Sequence, residues 1–264
     1  MGEIKIQNAA YASASRSLAE SRKGRYSGKR HEFIPTDQKL LRLIGLTAND
    51  RIHYFSAYSG EWAQKLADLG ARVDASDISK DIVARLKSNP GKIRRIFQAA
   101  GETGAIVPTY YDWSVSYEPF PIIRGDYGVN SLIRMGLINR EGIKLIFSRT
   151  IIEPGWVKPS LKAIAKIYGA DVEQKIVHIR GGPPVGRRPR QTRFMTVFTI
   201  RTNPKIRKKA ELDLFLERRL PLLGDVGADS IKALANEFRV KKSDVVSGIA
   251  RLAAAFKLPP RIDF

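Results

Sequence analysis

A doubly wound α/β domain is the fold class that the sequence predicts for residues 31–202. Apolar segments of strand length alternate there with segments whose apolar residues recur at helical spacing. The first alternation is a strand–helix–strand unit of about 30 residues, for which a right-handed crossover between parallel strands is the default. Beyond residue 202 only helical spacing continues, so a small all-helical module is predicted over residues 203–264. The 264 residues, of which 43% are hydrophobic, suffice for both parts.

The strand–helix–strand unit rests on signals that follow one another closely. Residues 52–55 are apolar and predict a short strand. Residues 61–69 place their apolar side chains on one side of a helix, and Gly70 follows as a helix-ending residue. Residues 71–76 predict the second strand, with Asp77 at its carboxyl end.

The later elements continue the same alternation. Helices are predicted at residues 80–86, 93–100, 130–137 and 159–168. Strands are predicted near 105–110, within 112–128, and at 143–148, 175–179 and 194–201. In the module, helices are predicted around 213–216, at 230–238 and at 243–256. The last two strands, joined by a basic loop, therefore close the α/β domain.

The composition excludes several kinds of chemistry. The chain has no cysteine, which excludes disulfides, thiolate catalysis and cysteine-ligated metals. Its three histidines, His31, His53 and His178, are far apart, so no metal site is expected. No apolar run of about 18 residues occurs and the first residues lack an apolar signal core, so neither a membrane span nor secretion is expected. A cytoplasmic location is predicted.

The charge balance favours a nucleic-acid partner, DNA or RNA. Forty-six Lys and Arg residues face 26 Asp and Glu residues, which gives a net charge of +20. Such an excess attracts phosphate groups and releases their counterions. The alternative is a basic surface that is only solvated.

The cations concentrate in three segments that could contact phosphate. Residues 1–30 are predicted to be a flexible basic arm, with few apolar residues at a useful period. The loop before the last strand and the segment 203–209 are the other two. The candidate nucleic-acid contacts in the arm and the loop are Arg22, Lys23, Arg25, Arg187, Arg188, Arg190 and Arg193.

The end of the chain resembles a helix-turn-helix module. Two predicted helices are separated by a short turn, and Ser243 is expected to cap the second helix, with Val246, Ile249 and Leu252 facing inward. The side chains that would then face DNA are Lys241, Lys242, Ser243 and Ser247. The alternative is a helical cap that packs on the sheet domain or on a partner.

A ligand site is expected where the parallel strands end. In a doubly wound sheet, ligands bind at the carboxyl ends of the strands, and the turn after the first strand must let them approach the backbone. Asp77, at the end of the second strand, has the position of an acidic residue that accepts hydrogen bonds from ribose hydroxyls. Its alternative role is to cap the helix that follows it.

The order of elements over residues 35–202 resembles the class I S-adenosylmethionine-dependent methyltransferases. The segments WAQKLADLGARVDASDIS, IKLIF, KIVHI and RFMTVFTI carry the resemblance, which implies a Rossmann-like sheet with a reversed last strand. It also implies S-adenosylmethionine as the cofactor and places Asp112 after the third strand. The implied cofactor contacts are Ser56, Tyr58, Gly60, Asp77, Ile78, Asp112 and Trp113.

The cofactor turn departs from the family pattern. Tyr54 stands where the family has an acidic residue, and Ser56 and Tyr58 replace two glycines, so that Gly60 alone remains of the glycine-rich set. A side chain at Tyr58 could fill the space of the methionine or ribose group, or stack on a ligand. The cofactor motif is therefore degenerate.

No catalytic motif is complete. Amino-group methyltransferases of nucleic acids carry Asn or Asp, two prolines and an aromatic residue, whereas the nearest string here is YEPFP. Glu118 in that string is the candidate general base, and the alternative is a loop shaped by proline. Two functions are favoured: a methyltransferase that acts on nucleic acid or a nucleic-acid-associated substrate, and a non-catalytic DNA- or RNA-binding protein that retains the fold. A third alternative is a subunit of a larger assembly whose basic arm threads into RNA.

Overall fold

A computed structural model of the chain shows one seven-stranded sheet with helices on both faces and a helical end. It describes residues 35–57, 60–77, 79–99, 110–117, 132–148, 157–181, 192–223 and 226–255. The strands are β1 (Arg51–Phe55), β2 (Arg72–Asp77), β3 (Arg95–Gln98), β4 (Trp113–Tyr117), β5 (Gly142–Ser148), β6 (Val172–Arg180) and β7 (Thr192–Arg201). The helices are α1 (Leu40–Leu43), α2 (Glu61–Asp68), α3 (Lys80–Ser88), α4 (Val157–Tyr168), α5 (Pro204–Arg219), α6 (Ala228–Phe238) and α7 (Lys242–Ala255). Residues 132–137 are also helical, and a 3-10 turn spans Leu220–Leu222.

The sheet has the strand order β3-β2-β1-β4-β5-β7-β6. Strands β1 to β5 pair with one another in parallel, whereas β7 runs antiparallel to both β5 and β6. The order reverses at β1, which makes the carboxyl edge between β1 and β4 the switch point of the sheet. The predicted class I methyltransferase type of sheet, with its reversed last strand, is confirmed.

Two apolar cores cover the two faces of the sheet. The first lies under α1, α2 and α3 and includes Ile52, Tyr54 and Trp62. The second lies under residues 132–137, α4 and the start of α5 and includes Phe55 and Leu145. Because successive strand residues point to opposite faces, the nearly uninterrupted apolar run of β5 supplies both cores at once.

The helical end has a core of its own. Leu216 of α5, Leu234 of α6 and Val245 and Leu252 of α7 pack together. Helix α5 belongs to both parts, since Ile206 and neighbouring residues of its first half contact the second core of the sheet. The helical character predicted for residues 203–264 agrees with the described part of this region, which ends at residue 255.

The helix predicted at residues 93–100 is wrong. Arg95–Gln98 forms β3, which pairs in parallel with β2 at the edge of the sheet. A four-residue strand shows too little alternation to be separated from helical spacing, and the pairing with β2 is a long-range interaction that local periodicity does not contain. The strand predicted near 105–110 falls largely outside the described residues, and Tyr110 lies in a turn.

Two details predicted for the last helix are also wrong. Helix α7 begins at Lys242, so Ser243 lies inside it, and the Lys241 backbone N–H donates to the Asp244 carboxylate at 3.2 Å instead. Val246 is 51% exposed, whereas its neighbour Val245 is fully buried. Ile249 and Leu252 pack in the helical core as predicted, so the error concerns Val246 alone. Within the described ranges, none of the helices has the length and apolar character needed to cross a bilayer.

Candidate functional site

The candidate site lies at the carboxyl edge of the parallel strands. The register pairs Phe55 with Ser76 and Asp77 with Gln98, so β1, β2 and β3 end side by side. Tyr117 ends β4 on the other side of β1. This edge contains the acidic position and the turn that the sequence predicted.

The turn after β1 keeps the conformation of a glycine turn without most of the glycines. Ser56 has a φ of 54°, in the left-handed region that glycine enters most easily. The Ala57 N–H donates to the Ser76 carbonyl at 3.1 Å, which ties the turn to the end of β2. Gly60, with a φ of 81°, precedes the first residue of α2, and a Cβ there would lie 2.0 Å from Leu86 Cδ2 of α3. Gly60 therefore lets α2 and α3 approach each other closely.

Asp77 is held by the chain that follows it. Its Oδ1 accepts a hydrogen bond from the Ser79 N–H at 2.9 Å. The cap of α3 is Ser79, whose hydroxyl accepts from the Ile82 N–H, so the alternative role of Asp77 as helix cap is wrong. The residue is 2% exposed. A ribose would have to reach a carboxylate that is already engaged and almost covered.

Tyr54 occupies the position of the family's acidic residue as part of the core. It is 1% exposed and packs with the first core beneath α2. Nearby, the rings of Trp62 and Tyr117 stack with centroids 4.6 Å apart. An aromatic cluster thus replaces a charged position beside the turn.

Asp112 and Trp113 lie at the opposite edge of the sheet. Asp112 directly precedes β4 and Trp113 is its first residue, whereas the resemblance placed both after a strand, so that expected position is wrong. The Asp112 Oδ2 accepts from the Arg51 N–H at 2.8 Å, at the start of β1. The Lys144 Nζ lies 4.1 Å from the centre of the Trp113 ring, and burial lowers the pKa of that lysine to about 8. The structure does not bring these two residues together with Asp77, because strand length separates the two edges.

Other predicted residues cannot be located in the fold. Tyr58, Ile78 and Glu118 lie outside the described residues, as do the arm (residues 1–30) and Arg187, Arg188 and Arg190. The backbone of Arg193 belongs to β7, where it pairs with Ile179. Their roles in binding or catalysis stay predictions.

The attachment points of the two basic segments lie together. Pro35, just after the arm, forms a bridge with Gly181, just after β6. Thr36 strengthens it, since its N–H donates to the Arg180 carbonyl at 2.9 Å and its hydroxyl to the Gly181 carbonyl at 2.7 Å. β6 ends at the carboxyl edge of the sheet. The described residues next to both basic segments therefore lie at the same edge as Asp77.

The third basic segment, residues 203–209, makes contacts within the fold at the amino edge of the parallel strands. The Arg207 guanidinium donates to the carbonyls of Asn139 and Arg140, just after the helical residues 132–137. The Lys209 ammonium lies 3.4 Å from the Tyr168 carbonyl at the end of α4. Cations are favourable at helix carboxyl ends, so half of this charge run has a role within the fold.

The helical end presents the residues predicted to face DNA. Lys241, Lys242, Ser243 and Ser247 are all exposed. Three residues join α6 to α7, and the first of them, Arg239, has a left-handed φ of 55°. This connection has the length found in helix-turn-helix motifs. Recognition of DNA through it stays a prediction.

Sequence reasoning missed a buried polar cluster beside the site. Asp74 is fully buried in β2 and accepts two hydrogen bonds of 2.9 Å from Arg94 and a third from the Tyr111 hydroxyl. His53, next to it on β1, shares a 2.8 Å hydrogen bond with Ser76 and stacks on Tyr111. The available signal was alternation, because His53 and Asp74 each lie between two apolar residues of their strands.

His53 should make the fold sensitive to acid. Complete burial lowers the pKa of His53 to about 4, partly offset by Asp74, from the ordinary 6.5. Between these two pH values the unfolded chain binds a proton that the folded chain does not, so stability is lost as pH falls from 6.5 to 4. The loss amounts to about 3 kcal/mol. Urea unfolding at pH 7 and pH 4 measures it.

One variant isolates that contribution. His53→Gln should lose about 3 kcal/mol less than the wild type over this pH range. Parallel pH profiles for the wild type and His53→Gln would contradict the assignment.

The comparisons with known proteins find likeness in solved structures alone. No family model matches the chain, and neither does a curated protein. The magnesium protoporphyrin IX methyltransferase of Synechocystis PCC 6803, solved with bound SAM, shares 13% identity over 61% of this chain and 75% of that chain, with a TM-score of 0.44. A SAM-dependent methyltransferase from Aquifex aeolicus shares 12% over 63% and 90%, with a TM-score of 0.46. A precorrin-6y C5,15-methyltransferase from Geobacter metallireducens GS-15 shares 11% over 66% and 92%, with a TM-score of 0.44.

Proposed function

We propose that this protein is an S-adenosylmethionine-dependent methyltransferase that acts on nucleic acid or on a substrate associated with nucleic acid. The observation that carries the proposal is Asp77 at the carboxyl end of β2, beside the left-handed turn after β1, in a sheet with the strand order of class I methyltransferases. This position flanks the switch point between β1 and β4, where such sheets bind nucleotides.

The residues present fit the nucleoside half of the cofactor. The turn at Ser56 keeps the backbone conformation that a close ligand needs, and Asp77 ends β2 at the same edge of the sheet. S-adenosylmethionine supplies an activated methyl group when bound. The chain's own part is to hold the nucleoside at this edge and to orient the acceptor, which is where proximity contributes most to such a transfer.

Charge supports nucleic acid as the substrate class. The chain carries +20, and both the arm and the loop between β6 and β7 attach at the edge that holds Asp77. A polyanion drawn to these segments would lie over the carboxyl ends of the strands. Its affinity should fall steeply with salt, because each phosphate contact releases counterions.

Calorimetry with S-adenosylhomocysteine tests the cofactor part. The wild type should bind the ligand, and Asp77→Ala should weaken binding roughly 10- to 100-fold, since hydrogen bonds to a charged group contribute about 1.5–3 kcal/mol. The matched control is Ser79→Ala, which disturbs the same turn by removing the cap of α3 and leaves the carboxylate in place. It should bind nearly as well as the wild type. Transfer of a labelled methyl group into RNA or DNA then tests the reaction.

Two outcomes would count against this proposal. Absence of heat and of a thermal shift for the wild type at millimolar S-adenosylhomocysteine would remove the methyltransferase assignment. Equal affinities of the wild type and Asp77→Ala would show that the nucleoside is held elsewhere.

A second candidate function is a non-catalytic nucleic-acid-binding protein with the same fold. The observations that favour it are the 2% exposure of Asp77, its bond to the Ser79 N–H, and the buried Tyr54 in the family's acidic position. This function predicts no cofactor heat together with salt-dependent binding of an oligonucleotide. The calorimetric experiment therefore separates the two functions.

A further inference from the structure

Two large apolar side chains are exposed on one face of the β6–β7 hairpin. Phe194 is 47% exposed and Ile176 is 45% exposed, while Val177 and Ile179 between and beside them are buried against the first core. Alternation along β6 therefore puts Ile176, together with His178, on the opposite face from the buried pair. We call this surface the hairpin face, made of Ile176, His178, Arg180 and Phe194.

The aromatic part of the hairpin face is ordered by strand pairing. His178 and Phe194 are register partners, and their rings meet edge to face with centroids 4.1 Å apart. Towards the middle of β7 the same face is covered, since Phe198 is fully buried and packs on Phe147. The exposed rings thus begin where the second core ends, at the carboxyl edge of the sheet.

An uncovered aromatic at this place is unfavourable for the isolated chain. Strand β6 is an edge strand, and edge strands that present apolar side chains invite association with other molecules. The hairpin face is therefore a surface for a partner.

Charge identifies the kind of partner. Arg180 is exposed two residues along β6 from His178, on the same face of the strand. The chain as a whole carries +20. An aromatic ring beside an arginine matches a base beside a phosphate, because every base has a π-face and every linkage has a negative charge.

We propose that the hairpin face binds single-stranded nucleic acid by stacking an unpaired base on Phe194. The ring of His178 supports Phe194 from its edge, and Arg180 binds the adjacent phosphate. A base inside a duplex has both faces covered by its neighbours, so stacking on a protein side chain selects unpaired bases. This inference rests on the proposed function and narrows its substrate class. The face lies next to the end of β5, since Ser148 pairs with Met195, and thus at the same carboxyl edge of the sheet as the candidate site.

Fluorescence anisotropy with the full chain tests the inference. The probes are a fluorescein-labelled 20-nucleotide oligouridine and a labelled RNA duplex of the same length. Phe194→Ala should weaken binding of the single strand roughly 5- to 100-fold, and that of the duplex at most about twofold. Phe194→Trp, which keeps a stacking surface, should restore the affinity.

The controls separate stacking from charge and from lost apolar area. Leu222→Ala removes a 72% exposed apolar side chain that does not belong to the hairpin face. It should leave the affinities for the single strand and for the duplex unchanged. Phe194→Ala should keep the slope of log affinity against log salt concentration. Arg180→Gln should reduce the magnitude of that slope by the contribution of about one phosphate contact. Thermal unfolding should be equal for all variants, because each changed side chain is exposed.

The outcomes distinguish this inference from the function on which it rests. Equal binding of oligouridine by the wild type and Phe194→Ala would overturn the stacking site and leave nucleic-acid binding intact. A dimer in sedimentation that Phe194→Ala converts to a monomer would overturn it too, since the face would then join two copies of the chain. Failure of the wild type to bind either probe would remove the nucleic-acid partner, while calorimetry with S-adenosylhomocysteine would still decide the cofactor.

Discussion

Replacing Gly142 by alanine is expected to destabilise the fold by about 3–5 kcal/mol. Gly142 is the first residue of β5 and has a φ of +129°, which side-chain-bearing residues rarely adopt. A Cβ there would lie 2.0 Å from the Ile200 carbonyl oxygen and 3.1 Å from the Arg201 Cα. Both neighbours are backbone atoms of β7, so relief of the overlap requires the antiparallel β5–β7 pairing to open. Urea unfolding of the purified variant measures the cost.

Gly169→Ala is the matched control for that substitution. Gly169 also has a positive φ, of +77°, but a Cβ there would meet nothing within 4 Å. It should therefore cost only the conformational strain of a left-handed residue, about 1–2 kcal/mol. If Gly142→Ala costs no more than Gly169→Ala, the close approach of β5 and β7 is not the constraint that we infer.

Replacing Asp213 by alanine is expected to cost about 3–5 kcal/mol by leaving a buried guanidinium without its partner. The Arg251 guanidinium of α7 donates two hydrogen bonds to Asp213 of α5, at 2.7 and 2.9 Å. The Asp213 side chain is fully buried and that of Arg251 is 16% exposed. Hydrogen exchange of residues 242–255 should accelerate more than that of β1 to β5, because the pair joins α7 to the rest of the chain.

Two further variants test the same pair. Glu237→Gln removes an ion pair with Arg219 whose side chains are both more than 40% exposed, and should cost less than about 1 kcal/mol. The double variant Asp213→Leu with Arg251→Met should recover most of the loss, since it removes both buried charges together. An Asp213→Ala variant as stable as the wild type would contradict this account.

The sequence predicted well those elements whose signals are local. Helix α2 and strand β2 lie within a residue of their predicted bounds, because helical spacing, a closing glycine and an apolar run all occur inside one unit. The turn at Ser56 and the acidic residue Asp77 were placed at the right edge for the same reason. The bounds proposed for the domains, with a division after residue 202, stay predictions.

The errors about the third strand and Asp112 share one physical cause. Strand β3 was taken for a helix because its identity depends on pairing with β2, and four residues carry too little periodicity to reveal it. The third strand was consequently sought too late in the chain, and Asp112 was assigned to the wrong edge. A misplaced strand changes the edge of the sheet at which the following residues are expected. The single error at β3 therefore placed both Asp112 and Trp113 at the wrong edge.

The sequence by itself determined the class of the fold and the basic character, since periodicity and composition are properties of the chain alone, whereas the reversed last strand was implied by the family resemblance. The tertiary structure decided what the side chains do. It buried Tyr54 and Asp77, gathered His53, Asp74 and Tyr111 into one polar cluster, and left Phe194 uncovered at the edge that holds the candidate site. Burial and register arise from segments far apart in the sequence, which is why no local pattern could show them.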